Sequence, residues 1–217
     1  MQYIWTVLKK EFILDFRQKA GIGGVFVYLI AILYTTSFLF KQKFTPLSWA
    51  GLYWIIMLFT ALIVSYRSFA KEEADGGFFN YLIYKPVYFI LGKMIYAAIL
   101  IIIIGMITFV LFNIFNGDMS GNIFIFLLNV ILTCIGLASI LSLMGSIASK
   151  SGSNFVLMSI LSFPLLLPLL LISVKISVNA INQLPISMNY KYIFSLLALD
   201  TIVVLLAVIF FPQVWKE

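Results

Sequence analysis

The residues best placed to do chemistry stand in one short stretch, Arg67-Ser-Phe-Ala-Lys71-Glu72-Glu73-Ala-Asp75-Gly76-Gly77-Phe78. Carboxylates at 72, 73 and 75 sit where the surrounding pattern favours lysine, and Phe78, Phe79, Tyr81 and Tyr84 follow, too many aromatics for a connector bathed in water. Charge beside exposed aromatic surface suits docking of a soluble partner. The plainer reading is an interfacial aromatic belt with acids that only solvate the loop.

Two other places carry charge of interest. In residues 1–19, Ile4, Trp5, Leu8, Phe12 and Phe16 recur at helical spacing, with Lys9, Lys10, Glu11 and Arg17 among them and Asp15 four residues before Lys19. Such a helix lies in the interface plane, aromatics among acyl chains and cations near anionic headgroups; the plainer reading is a basic flank that sets topology. Asp200 stands deep in the last apolar run, where a lone carboxylate costs about 2.5 kcal/mol or more. It must face protein or water, pair with Lys191 or Lys175, or carry a proton. Its role is either functional or structural pairing.

Other chemistries are excluded by what is missing. There is no histidine, which removes the commonest metal ligand and the usual general base near neutral pH. The single cysteine, Cys134, lies among apolar neighbours and reads as a buried thiol. No phosphate-binding G-x-x-x-x-G-K-[ST] loop occurs, since Gly92-Lys93 is followed by Met94 and preceded five positions earlier by Val87. The chain cannot hold ATP in the P-loop manner.

The elements that must position these residues are membrane helices. Of 217 residues, 63% are hydrophobic and 10% charged, with a mean hydropathy of +1.12, against roughly a quarter charged in soluble domains. Six apolar runs long enough to span a bilayer fall roughly at 21–40, 49–66, 94–115, 122–147, 155–175 and 192–212. They form one transmembrane domain over residues 1–217, with residues 67–93 as its longest loop. The first run follows a charged segment without a small-residue cleavage site, so it is not read as a signal peptide.

Ten Lys and Arg fall on one side of this arrangement (Lys9, Lys10, Arg17, Lys19, Arg67, Lys71, Lys85, Lys93, Lys150, Lys216) and four on the other (Lys41, Lys43, Lys175, Lys191). That bias places both termini and the 67–93 loop in the cytoplasm. The net charge of +6 reflects these loops and not a nucleic-acid partner. Ser68 to Ala74 continues the second run as helix, Gly76 or Gly77 stops it, and Pro86 prevents a helix from running unbroken into the third. In the fourth run, Ala138, Ser142 and Ser146, with Gly136, Ser139, Gly145 and Ser149 nearby, form a small-residue face that packs against another helix of the chain or a second copy, the former being favoured. Pro164 and Pro168 predict a kinked or broken fifth helix.

The chain resembles the haem exporter protein B family, CcmB. The likeness is carried by Lys10-Glu11-Phe12 through Phe16-Arg17-Gln18-Lys19, by Phe69 through Asp75-Gly76-Gly77 to Lys85-Pro86, by Gly92-Lys93, by Gly136 to Gly145 and by Ser162-Phe163-Pro164 to Pro168. It covers almost the whole chain. It departs where many members read acid-acid-glycine, here Asp75-Gly76-Gly77, and at Asn80, where another acid is common.

The resemblance implies an all-α permease of the ABC-2 exporter type in the bacterial inner membrane. It further implies a cytoplasmic ATPase partner, further membrane subunits that handle haem, and release of a haem chaperone for cytochrome c maturation. It makes residues 1–19 an interfacial connecting helix and makes the loop holding Arg67, Lys71, Glu72, Glu73, Asp75, Gly76, Gly77 and Phe78 the ATPase contact. Six spans are half of the usual twelve, so a second copy is expected. Haem ligation by this subunit itself is disfavoured, because axial ligands are usually His, Cys, Met or Tyr and only Met and Tyr remain. The alternatives are a generic exporter permease for a drug, lipid or glycan, and an assembly subunit that moves nothing.

Overall fold

The computed structural model describes residues 2–17, 19–40, 44–74, 85–117, 121–149 and 155–216. The described residues are almost entirely helical and contain no strand. The helices are α1 (Gln2–Arg17), α2 (Lys19–Phe40), α3 (Pro46–Ala74), α4 (Pro86–Asn116), α5 (Ile123–Ser149), α6 (Phe155–Ile181) and α7 (Tyr190–Lys216), with a 3-10 turn at Ile186–Met188 before α7. Six of them, α2 to α7, are long and apolar enough to cross a membrane, as the hydropathy pattern predicts. An α-helix satisfies its own backbone, which is what lipid demands of a spanning segment.

Local signals set the helix starts. Thr45 and Ser48 cap α3 reciprocally: the Ser48 amide donates to Thr45 Oγ1 (3.2 Å) and the Thr45 amide to Ser48 Oγ (2.9 Å), with Pro46 in the first turn. Asn122 Oδ1 accepts from the Ile125 amide (3.2 Å) at the start of α5. Lys85 is extended (φ −72°, ψ 135°) and Pro86 opens α4. The third span thus begins about two turns before the loop's last predicted residue, because proline is favoured at a helix start where its missing N–H leaves nothing unpaired.

Two consequences follow for the 67–93 loop. Its two flanks are helix, Arg67 to Ala74 closing α3 as predicted and Pro86 to Lys93 opening α4. The Gly76 and Gly77 stop and the aromatics beyond it lie outside the described residues. The connection between the fifth and sixth spans also shrinks, since α6 continues to Ile181 and not to about 175.

Helix α5 is the most buried span and the hub, contacting α3, α4, α6 and α7. Its small-residue face is used within the chain: Ala138, Ser142 and Ser146 are buried. A Cβ at Gly145 would stand 2.6 Å from the Phe69 ring of α3, and one at Gly136 would overlap Leu169 of α6. The main core joins α2 to α7 and includes Trp49, Tyr53, Trp54, Phe112 and Phe126, packed edge to face or stacked. Cys134 lies fully buried in it, as its neighbours predict.

Between α3, α5 and α6 runs a polar seam. Trp54 Nε1 donates to Ser177 Oγ (2.8 Å), Asn129 Nδ2 donates to Ser177 Oγ (2.9 Å) and to the Ser173 carbonyl (2.8 Å), and the Thr133 and Ser173 hydroxyls lie 2.7 Å apart. Each partner answers another in an apolar surrounding, where an unanswered group is costly.

A second, smaller apolar cluster closes one end of the bundle. Val7 of α1, Phe89, Ile90 and Met94 of α4, Leu143 of α5, and Ala207 and Phe211 of α7 meet there. We call this the proximal end. It carries α1, the last turns of α3 and α7 and the first turns of α4.

Candidate functional site

Charge is brought together in the described residues at the proximal end. Lys93, eight residues into α4, is 1% exposed, and Glu11 of α1 is 5% exposed. Their charged atoms approach to 3.6 Å. Ser68 of α3 joins both: its hydroxyl donates to Glu11 Oε2 (3.2 Å), and Lys93 Nζ donates to the Ser68 carbonyl (3.0 Å) and hydroxyl (3.3 Å). Lys93 Nζ also stands 4.3 Å from the centre of the Phe69 ring.

The neighbourhood is tightly built. A Cβ added at Gly92 would lie 2.9 Å from Val7 Cβ, so only glycine lets α1 approach α4 this closely. Phe12 meets Tyr96 edge to face at 5.0 Å, one turn along the same contact. Phe69 lies against Gly145 of α5. A cation, an anion and a hydroxyl from three helices are therefore sealed among aromatic and aliphatic groups, where a charge survives only with its partner in place.

Sequence reasoning finds part of this site. Glu11 is singled out as a charge of the entry helix, and Gly92-Lys93 as a failed phosphate loop, a carrier of the family resemblance and one of the basic residues that set orientation, but nothing joins the two. The helix forms over Gln2–Arg17 as expected, and of the predicted apolar stripe Leu8 is buried and Phe12 packs on Tyr96. Val7, Leu8 and Glu11 turn inward, while Trp5 is 71% and Ile13 53% exposed and Lys9 lies on the outer side. Glu11 wins the inward face because Lys93 and Ser68 await it there, which hydropathy spacing cannot register. Lys10 is half-buried, and Arg17 closes the helix.

Of the loop residues, Arg67 is half-buried one residue before Ser68, and Lys71, Glu72 and Glu73 lie on the last turn and a half of α3. Asp75, Gly76, Gly77 and Phe78 lie outside the described residues. The loop's two helical flanks are thus tied to each other and to α1 through Ser68 and Lys93.

Asp200 lies ten residues into α7, about 15 Å from its start, and is 7% exposed. A Cβ at Gly136 would collide with its Oδ1 and with Leu169, so the carboxyl fills the space that Gly136 leaves between α5, α6 and α7. Oδ1 has no hydrogen-bond partner. The expected pairing with Lys191 or Lys175 does not form: Lys191 Nζ stands over the Tyr192 ring at 4.9 Å, and Lys175 is exposed. Lys191 lies nine residues from Asp200 along α7, about two and a half turns, too far to answer it.

Pro164 and Pro168 lie on the exposed face of α6, which runs through both as one helix. Of the kinked or broken helix that the prolines predict, the break is not observed; Ser162, Leu166, Leu169 and Ser173 hold the opposite face in the bundle. Among the described residues no three His, Cys, Asp or Glu side chains come together as a metal site.

These features define a multi-pass helical membrane protein with a buried ion pair at one end of the bundle and a buried carboxyl, Asp200, deeper within it. The profile of the CcmB protein family matches residues 2–213, and the chain belongs to that family. No individual curated protein matches it. Membership makes the chain a permease subunit, not itself an enzyme, of an ABC transporter complex acting in haem export for cytochrome c maturation.

Proposed function

We propose that the chain couples a separate cytoplasmic ATPase to rearrangement of the membrane complex and release of a haem chaperone, with both termini and the 67–93 loop in the cytoplasm of a bacterial inner membrane. The observation that carries this reading is the Glu11–Ser68–Lys93 junction, which gathers α1 and both flanks of the acidic loop into one place. A force on the loop would enter the bundle there. The chain has no phosphate loop of its own, so ATP acts through the partner. The ABC-2 exporter arrangement would then be completed by a second copy, giving twelve spans. Haem is handled by other membrane subunits of the complex.

Lys71, Glu72, Glu73 and Asp75 are the residues through which the ATPase would dock, with Gly76, Gly77 and Phe78 shaping the loop beyond them. The test replaces Glu72 and Glu73 with Ala and measures ATPase retention and chaperone release in the purified complex. Loss of both supports coupling at this loop; retained binding and release would remove it. A chain that binds the ATPase and drives release while no substrate crosses would be the non-transporting assembly subunit. The haem assignment has its own check: the chain purified alone should show no stoichiometric, tight haem Soret band.

A further inference from the structure

We propose that Lys93 is the positioning residue that fuses α1 with the ends of α3 and α4 into one rigid unit, so that loop motion reaches the N-terminal helix without a hinge. The inference rests on the coupling reading above and deepens it.

Four observations carry it. Lys93 and Glu11 are buried, and Ser68 bridges them from a third helix. Opening α1 away from α4 would leave a desolvated cation and a desolvated anion without each other, which is why such pairs do not part in ordinary motion. The Gly92–Val7 approach leaves no space for sliding, since even one Cβ would fall 2.9 Å from Val7. Phe12 on Tyr96 extends the same contact by a turn. Val7 also belongs to the apolar cluster shared with Phe89, Leu143 and Phe211, so the unit reaches α5 and α7. A hinge would show the opposite signs: exposed, screened charges and room between the helices.

The experiment uses the whole complex, reconstituted with its ATPase, and a Val7→Cys/Gly92→Cys variant. Disulfides need Cβ atoms about 3.5–4.5 Å apart, so a shift of under about 1 Å from the 2.9 Å approach closes the bridge. The remaining thiol, Cys134, is fully buried. Chaperone released per ATP hydrolysed is compared between oxidised and reduced samples of the same variant.

A rigid unit predicts the two within about twofold. A fall of tenfold or more on oxidation, reversed by reductant, would mean that α1 must swing away from α4 and would overturn the proposal. Lys93→Met supplies the second arm: release per ATP should fall at least tenfold while the ATPase stays bound, and the oxidised bridge added to it should restore most of the ratio. An unchanged ratio, or no restoration, overturns the positioning role, because a residue serving stability alone would alter the amount of complex and not its output per ATP. A parent complex that releases nothing on ATP addition would overturn the coupling reading itself, a failure seen before any cysteine is introduced.

Discussion

Removing the cation from the Glu11–Ser68–Lys93 junction should free the N-terminal helix, and the size of that effect can be worked from its burial. Lys93→Met leaves an unbranched apolar stem but removes the ammonium and its place over the Phe69 ring, and Glu11, 5% exposed, is left without the charge that answered it. Breaking one partner of a buried pair costs about 3–5 kcal/mol. Ser68, which accepts twice from Lys93 Nζ, can compensate only one Glu11 oxygen.

The cheapest escape is detachment of α1 from α4, which takes Glu11 to water. A cysteine at position 7, where Val7 is fully buried, reports that opening. At about 1.4 kcal/mol per tenfold, even the lower figure raises the open population, and so the rate of maleimide labelling, by roughly a hundredfold. Adding Glu11→Gln removes the stranded charge and should return the rate most of the way, since replacing both members of a buried pair is far milder than removing one. A labelling rate within about threefold of the parent, or a double variant as open as the single, would refute the claim that this pair holds α1.

Three further outcomes are expected. Gly136→Ala places a Cβ on Asp200 Oδ1 and 2.6 Å from a Leu169 methyl, an overpacking worth about 1–3 kcal/mol; thermal unfolding in mild detergent should move down, and Asp200→Ala should recover part of the loss. Asn129→Leu removes three hydrogen bonds of the intramembrane seam and should cost about 1–3 kcal/mol in the same assay, with Ser177→Ala well below it at about 1 kcal/mol. For topology, a cysteine at Lys85 should be labelled only from the cytoplasmic side of oriented vesicles and one at Gln183 only from the opposite side; the reverse would invert the assigned orientation.

The spans were legible because their cause is local: about 20 apolar residues in a row suffice, and Pro86 or Thr45-Pro46 marks where a helix starts. The intrachain use of Gly136, Ala138 and Ser142 was legible for the same reason, since small residues at helical spacing admit a neighbouring backbone. What could not be read is pairing between distant segments. Glu11 and Lys93 are 82 positions apart, and each alone looks like an ordinary interfacial charge; only the fold brings them under Phe69. The same holds for α1, whose inward face is chosen by a polar contact that hydropathy counts as a defect. Asp200 was legible as an anomaly in span six, but its resting place against Gly136 was not, because a glycine in an apolar run announces closeness without naming the neighbour. The prolines of span five do not break it, because they lie on the exposed side of a helix whose other face is packed.

The most direct test of the account is affinity purification of this chain from its native membrane in mild detergent, with quantification of what accompanies it. Stoichiometric recovery of an ATPase subunit carrying the phosphate loop that this chain lacks, together with membrane subunits that bring bound haem, is the predicted result. Recovery of the chain with haem tightly bound to itself and no nucleotide-binding subunit would contradict it.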